Sequence, residues 1–422
     1  MQIEIHGGAH RIGGNKILIR SKKAAFWLDM GATHKRKLEL YQYSQVRYFS
    51  LKRLISEGVF PRSAIFDSVQ RENEKKYINL ILTHAHSDHY SLLTFYKAWQ
   101  ETGISIRLFS PPNLYNLLKT RFEIGNLGRA LSNLEPHDIK ETEAAGFKVT
   151  AVPIDHSIDA SYGYVVETSE GTVGYTGDYR FTDQHRFDAM EKPFDDLDTL
   201  ITEATRVATY NLLTENGVKE QLAWIMRRYG NSTVIVVVGW YTNTTRARSI
   251  IEASAGRKVV LHSHVASLLA AADPKILENP KVYVLRMRIR EDIPEGAKIM
   301  TVPQVNDERG NVVVVIPEAQ KLYMWKEETP ESILVRPNDV VIGSLSEPYD
   351  EDSTEALIDL TDYVTRELKV PIYHTHASGH ASLHEIADFV NATSPRRTIV
   401  IHSNVPEALR PLVEKKIDIE TP

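Results

Sequence analysis

Residues 78–89 read INLILTHAHSDH. The first half, INLILT, is a short apolar run of the kind that forms a strand buried within a sheet. The second half carries four ligand-type side chains, His84, His86, Asp88 and His89, within six residues. Alternate residues of an extended segment share a face, so His84 and His86 can reach one metal ion together. The chain then turns, and Asp88 and His89 can address a second position. A solvated polar loop can gather such residues by chance. The density of this cluster, directly after a buried strand, argues instead for a site held by a rigid sheet.

Two further segments repeat the pattern of a strand that ends in a ligand. Val149–Ile154 runs into Asp155 and His156, and Val173–Tyr175 runs into Thr176, Gly177 and Asp178. Taken singly, His156 reads as an ordinary loop residue and Asp178 as a turn former. Taken with the cluster they complete a set. His84, His86 and His156 serve one ion, Asp88, His89 and His402 serve a second, and Asp178 bridges both. The 422 residues include no cysteine, so disulfides and thiolate ligands are excluded. A site of His and carboxylate ligands points to catalysis rather than to a Cys-rich structural zinc.

Composition sets the remaining bounds. Hydrophobic residues make up 42% and charged residues 25%, as in a soluble globular protein with a large core. The opening MQIEIHGGAH reads as a strand and a turn rather than a secretory leader. No apolar run approaches the roughly 20 residues that span a bilayer, and a cytoplasmic protein with no membrane partner is expected. The net charge of -5 speaks against a non-specific nucleic-acid binder. A local basic groove stays open, because Lys219, Arg227, Arg228, Arg246, Arg248, Arg257 and Lys258 fall in one stretch; its ordinary reading is a solvated helical face.

The first two hundred residues alternate short strands with loops rich in His, Asp and Gly. The middle differs. A helix over Lys219–Tyr229, a β-branched run at Thr233–Val238, a helix over Thr244–Ala255 and strands at Lys258–Leu261, Val282–Leu285, Val312–Ile316 and Val340–Ile342 predict a parallel sheet with its own helices. Val370–Tyr373 then leads into HTHASGHA, and Ser382 with Glu385 forms a capping-box pattern. Thr398–Ile401 ends directly in His402. The expected organisation is an α/β chain with a first domain over 1–205, an inserted domain over 206–365 and a return to the first over 366–422.

H-x-H-x-D-H, with Asp29 in FWLDMG upstream and His156 and Asp178 downstream, resembles the metallo-β-lactamase superfamily. The resemblance implies an αββα sandwich in which Asp29 orients the ligand cluster, although a strand-end turn former is its plain reading. The loop GGAHRIGGN, residues 7–15, is similar to the family's opening turn. LITEAT (200–205, ending its strand in Glu203), SGHA (378–381) and VIHS (400–403) resemble the three signatures of the beta-CASP nucleases, and the middle domain resembles their insertion. Within that group, GG-x-x-x-IGGNK and HASGHAS are most similar to RNase J and its archaeal relatives. The chain departs from typical RNase J in lacking the long C-terminal extension and in carrying HKRKLELYQYSQVRYFSLKR after Asp29.

The resemblance implies a metal-dependent ribonuclease that uses a two-metal-activated hydroxide, with zinc, or alternatively manganese, as the ions. Asp88, Glu203 and His380 are the catalytic candidates. His380 would be the general acid and Glu203 would orient it; a capping neighbour of the following helix is the plainer role for His380. RNA-acting members carry His at the position of His402, which implies a single-stranded RNA substrate. Ser378, Gly379, Asn243 and Arg246 are candidate substrate contacts, the last two because free amides at a helix N-terminus and a guanidinium suit a phosphate. The plain alternative is an N-cap with a surface Arg. Amides after Ser382 could complete a pocket for a 5′-monophosphate and so favour 5′-to-3′ exonuclease action. His374 and His376 either line the cleft or pack. Competing readings are an endoribonuclease of the mRNA 3′-end processing type, a small-molecule or thioester metallo-hydrolase, and an RNA-binding scaffold. A homodimer is left open.

Overall fold

The computed structural model describes residues 1–22, 24–32, 49–139, 142–144, 147–206, 213–239, 241–287, 293–327, 329, 331–346 and 351–422. Most of the Tyr- and Lys-rich stretch after Asp29 therefore lies outside the described residues. The chain divides into two compact units, residues 1–210 with 379–422, and residues 211–378.

The first unit is built on two seven-stranded sheets. One runs Gln2–Gly7, Lys16–Arg20, Ala25–Leu28, Lys75–Ile81, Ser105–Ser110 and Leu134–Asp138 in spatial order, with Gln70–Glu72 paired to Lys75–Ile81. The other runs Asp418–Glu420, Arg397–Ile401, Thr199–Glu203, Gly171–Tyr175, Tyr162–Thr168, Phe147–Pro153 and Thr142–Ala144. One apolar cluster joins Ile17, Leu28 and Ile81 of the first sheet to Val149, Tyr164, Val173, Ile201 and Ile401 of the second, so the sheets pack face to face. Helix Leu383–Thr393 covers the far side of the second sheet, setting Ile386, Phe389 and Val390 against Val152, Leu200 and Val400. The first sheet's strands Lys75–Ile81, Ser105–Ser110 and Leu134–Asp138 are parallel. Their crossover segments, with helices Tyr96–Thr102 and Pro112–Ile124, must lie on the face away from the other sheet. The result is the expected αββα sandwich.

In the second sheet, Gly171–Tyr175, Thr199–Glu203 and Arg397–Ile401 are adjacent and parallel. Their C-terminal ends fall side by side, and Asp178, Glu203 and His402 are delivered there. Ligand-bearing loops thus begin at neighbouring strand ends although the residues are far apart in sequence.

The second unit carries a seven-stranded sheet in the order Ile299–Thr301, Val282–Arg286, Lys258–His262, Val312–Pro317, Val234–Val238, Val340–Ser344 and Ile372–His374, parallel throughout. Apolar clusters cover both of its faces, which explains why its strands read as unbroken apolar runs. The strand expected to begin the return to the first domain behaves differently. Val341 pairs with Ile372, so Ile372–His374 is an edge strand of this sheet. The exposed His374 ring lies beside Gly343 and hydrogen-bonds Thr361, both within this unit.

Candidate metal centre

His84 and His86 leave the end of the Lys75–Ile81 strand in extended conformation, and Asp88 and His89 sit in the single helical turn Ser87–Tyr90 that follows. Ring nitrogens of three residues converge: His84 Nε2 is 3.0 Å and His156 Nε2 is 3.1 Å from His86 Nδ1. Beside them, His402 Nε2 lies 3.0 Å from Asp88 Oδ2, and His89 Nε2 lies 3.2 Å from Asp178 Oδ2. The same Asp178 oxygen is 3.7 Å from His84, 3.9 Å from His402 and 4.0 Å from His156. Asp178 thus stands between the two groups that the sequence separates, His84–His86–His156 and Asp88–His89–His402, and within each its ligand atoms lie within 4.8 Å of the others.

The outer nitrogen of each ring explains why the inner one points inward. His156 Nδ1–H donates to the Gly379 carbonyl (2.6 Å), His89 Nδ1–H to Asp29 (2.7 Å), His402 Nδ1–H to Thr205 Oγ1 (2.7 Å) and His84 Nδ1–H to Thr83 Oγ1 (3.0 Å). Each bond assigns the tautomer that leaves a lone pair on Nε2 facing the site. Asp29 also accepts from the Thr83 amide and hydroxyl and from Tyr175 OH. It holds a left-handed backbone (φ 56°), as does His402 (φ 54°), the kind of local strain that clusters at functional sites.

The glycine-rich loop has a mechanical purpose. Gly14 N and Asn15 N both donate to the Asp88 carbonyl. A Cβ on Gly31 would fall 1.6 Å from that oxygen, and one on Gly13 2.9 Å from Asp88 Cβ. Below the loop, buried Lys16 donates to the Gly14 and Gly31 carbonyls at 2.8 and 2.7 Å. Burial pushes its ammonium down to about 8, with Arg11 adding to the effect.

The donor set fits divalent cations. Burial, reinforced by neighbouring rings, holds His84 and His156 well below the ordinary imidazole value, and burial takes His86 to about 4; all three are in the neutral form that binds metal. Burial also opposes charge on His89, yet Asp178, Asp88 and Asp29 override it and raise its pKa. Three carboxylates around one ring mark a place that calls for positive charge. Asp178 Oδ1 is buried with no hydrogen-bond partner, as expected of an oxygen kept for an ion.

Glu203 links a further histidine to this cluster. Its carboxylate accepts from His380 Nδ1–H at 2.8 Å, from the Tyr179 amide at 2.8 Å and from the Thr205 hydroxyl. His380 Nδ1 is 3.9 Å from Asp178 Oδ2, and the ring keeps 21% of its surface exposed beside a buried Glu203. Thr83, Tyr175, Thr205 and Lys16 were assigned no role by sequence reasoning. Thr83, Thr205 and Lys16 lie inside quoted motifs, THAHSDH, LITEAT and IGGNK, so their place beside ligands or the opening loop was a usable signal.

Three expected substrate contacts take other roles. Arg246 is fully buried, clamps Glu215 through Nε and Nη2 at 2.8 and 2.9 Å, and reaches Ser344 and the Thr375 and Ala377 carbonyls. A guanidinium so committed cannot bind a phosphate. Asn243 accepts from the Arg246 amide at 2.9 Å, the simple N-cap. Gly379 does not leave room for a ligand, because a Cβ there would meet His156 Cε1 at 2.9 Å. The anion pocket expected after Ser382 is filled by its own capping box. Glu385 accepts from the Ser382 amide at 2.7 Å and brings a negative charge to that helix start. Ser378, the last residue of the second unit, is partly buried. Much of the basic stretch is also spent within its unit: Lys219 pairs with Glu252, Arg248 with Asp273 and Lys258 with Glu308, while Arg257 caps main-chain carbonyls.

Fold and ligand set together resemble those of the metallo-β-lactamase class, and residues 66–239 match the family model for a beta-lactamase superfamily domain. The chain is similar to Ribonuclease J of Helicobacter pylori, 22% identical over 94% of this chain and 55% of that protein. It also resembles Ribonuclease J of Thermus thermophilus (24%, over 79% of this chain and 59% of that one) and of Pyrococcus abyssi (22%, over 94% and 88%). The chain therefore spans about half the length of the bacterial relatives it matches. A solved protein of unknown function from Enterococcus faecalis V583 shares the fold, with a TM-score of 0.78 at 16% identity over all of this chain and 97% of that one. No helix among the described residues is long and apolar enough to cross a membrane.

Proposed function

We propose that the chain is a metal-dependent ribonuclease acting on single-stranded RNA in the cytoplasm, degrading from the 5′ end, with the second unit as its beta-CASP insertion. The observation that carries the reading is the Glu203–His380 pair, hydrogen-bonded at 2.8 Å beside a buried two-group ligand cluster. A thioester, whose thiolate departs without a proton, has no need of an acid held in this way.

Zinc or manganese ions held by His84, His86 and His156 and by Asp88, His89 and His402, with Asp178 shared, supply when bound a water of lowered pKa and neutralise charge at a phosphate. The residues of the chain do the rest. His380 gives its Nδ1–H to Glu203, which turns Nε2–H toward a leaving oxygen. Burial opposes a charged ring, but Glu203, as charge and as hydrogen-bond acceptor, outweighs it, and Asp178 and Asp88 add to that, raising His380 to about 9. Bound cations would offset the last two contributions and leave Glu203 as the main support. As the P–O3′ bond breaks, the imidazolium passes its Nε2 proton to the 3′ oxygen, and the neutral ring regains a proton from solvent. Asp29, Thr83 and Thr205 keep the ligand rings in the correct tautomer.

The test is RNA labelled at its 5′ end, incubated with and without chelator. Early release of labelled mononucleotide that stops on chelation is the expected result. A ladder of longer labelled fragments appearing first overturns the exonuclease assignment in favour of internal cleavage. No metal-dependent cleavage of any RNA overturns the ribonuclease reading.

A further inference from the structure

Helix Glu215–Arg228 of the second unit turns its apolar face into that unit's core and leaves an unusual outer face. Trp224 is 54% exposed there, although an indole is among the side chains most worth burying. Arg227 and Arg228, three and four residues on, share its side of the helix and are exposed. Among the described residues neither Arg has an ion-pair partner. This sets them apart from Lys219, Arg246, Arg248 and Lys258, each of which pairs with a carboxylate.

Two tyrosines extend the patch. Tyr373, on the edge strand Ile372–His374, sets its ring centroid 6.3 Å from that of Trp224 and 6.0 Å from that of Tyr229. The Tyr229 and Tyr373 hydroxyls hydrogen-bond at 3.1 Å, which fixes the two rings relative to each other. Three aromatic rings, two of them pinned, thus stand beside two uncompensated guanidinium groups. A neutral apolar partner would leave both charges without a counterpart, and an acidic peptide would not use the ring faces. A flexible polyanion whose units carry π-faces satisfies both, since stacking and phosphate pairing are the two components of single-strand recognition.

We propose that Trp224, Tyr229 and Tyr373 with Arg227 and Arg228 form a stacking platform for single-stranded RNA. This deepens the ribonuclease reading and rests on it for the identity of the polymer. The experiment is fluorescence anisotropy of a 20-nucleotide single-stranded RNA with the full chain in excess chelator, so that binding is read without cleavage. Trp224→Ala should weaken binding roughly tenfold, the loss of one stacked base, with an unchanged circular dichroism spectrum and melting temperature. Arg227→Gln with Arg228→Gln should lower the slope of log affinity against log salt by about 1.4, at ~0.7 per single-strand phosphate contact. Unchanged affinity and salt slope in both variants overturn the platform. So does unchanged affinity in Trp224→Ala together with conversion of an oligomer to monomer, which would make the patch a contact between copies. Separate incubation of the wild type with metal keeps the two readings apart. Metal-dependent cleavage with unaltered variant binding removes only the platform. Weakened variant binding without any cleavage by the wild type keeps the platform and removes the ribonuclease.

Discussion

A carboxylate shared between two groups of ligands couples them, and Asp178 is the residue so placed. Asp178→Ala is expected to lose both ions in elemental analysis and to lower activity more than any other single ligand change. Retention of one tightly bound ion with substantial turnover would contradict the shared role. Thr205 works at one remove, between His402 and Glu203. Thr205→Val should weaken metal affinity by about 10–100-fold, the usual cost of losing an outer partner of a ligand. Thr205→Ser should restore it, whereas a purely packing role would be better served by Val. His380→Ala should cost about 10²–10⁴-fold in turnover at unchanged metal content, and less on a substrate whose leaving group needs no proton. Equal losses on both substrates would make His380 positional. The ligands themselves were legible because each follows an apolar run by a few residues. Arg246 was misread because its partner Glu215 is 31 residues away, and no local pattern separates a helix-start Arg that faces solvent from one folded back into the core.

Elements explain why those residues stay in place. The loops at 7–15 and 29–31 meet around the main chain of Asp88, and Gly31 is the tightest point. Gly31→Ala should unsettle both loops and depress metal binding, whereas Gly128→Ala, which meets nothing within 4 Å, is the control expected to behave as wild type. In the second unit, His262 caps helix Ser263–Ala272, and burial with help from His264 takes its ring down to about 4. The unfolded ring titrates near 6.5. Between the two values the unfolded chain binds the extra proton, so stability rises with pH across that window and is lost on acidification. At pH 5 the loss is about 2 kcal/mol relative to neutral pH. His262→Asn keeps a capping oxygen without the titration, and its denaturation midpoint should fall less between pH 7 and pH 5 than that of wild type. Equal slopes would show the ring to be protonated in the fold. Local elements were readable: the capping box at Ser382 and Glu385 follows from four consecutive residues. The assignment of Ile372–His374 was not, since a three-residue strand takes its identity from the sheet that accepts it, here through Val341.

At the scale of the molecule, the α/β organisation was legible in short strands that end in ligands and in a middle segment of unbroken apolar runs, whereas the αββα sandwich came from the resemblance of the motifs. The loops after Ile154, Tyr175 and Ile401 marked His156, Asp178 and His402 as members of one site. How they are held together depends on the parallel register of three strands, the outer two about 220 residues apart, and no local signal carries it. His89 is raised by three carboxylates and Asp178 Oδ1 is buried without a partner, so the cluster calls for positive charge. Zinc or manganese at one hundred times its dissociation constant should stabilise the fold by about 2.7 kcal/mol per ion bound, read as a rise in melting temperature that chelator reverses. A melting temperature indifferent to both would mean that the cluster binds no metal. The ligand set also has a consequence for how the protein would fare under stress. Thiolate sites release their metal when peroxide or nitric oxide oxidises sulfur, but every donor here is nitrogen or oxygen. Oxidants have no thiolate to attack. Metal should leave this centre only in proportion to protons that compete for imidazole and carboxylate, so an acid pulse would empty it while an oxidative burst would leave it loaded.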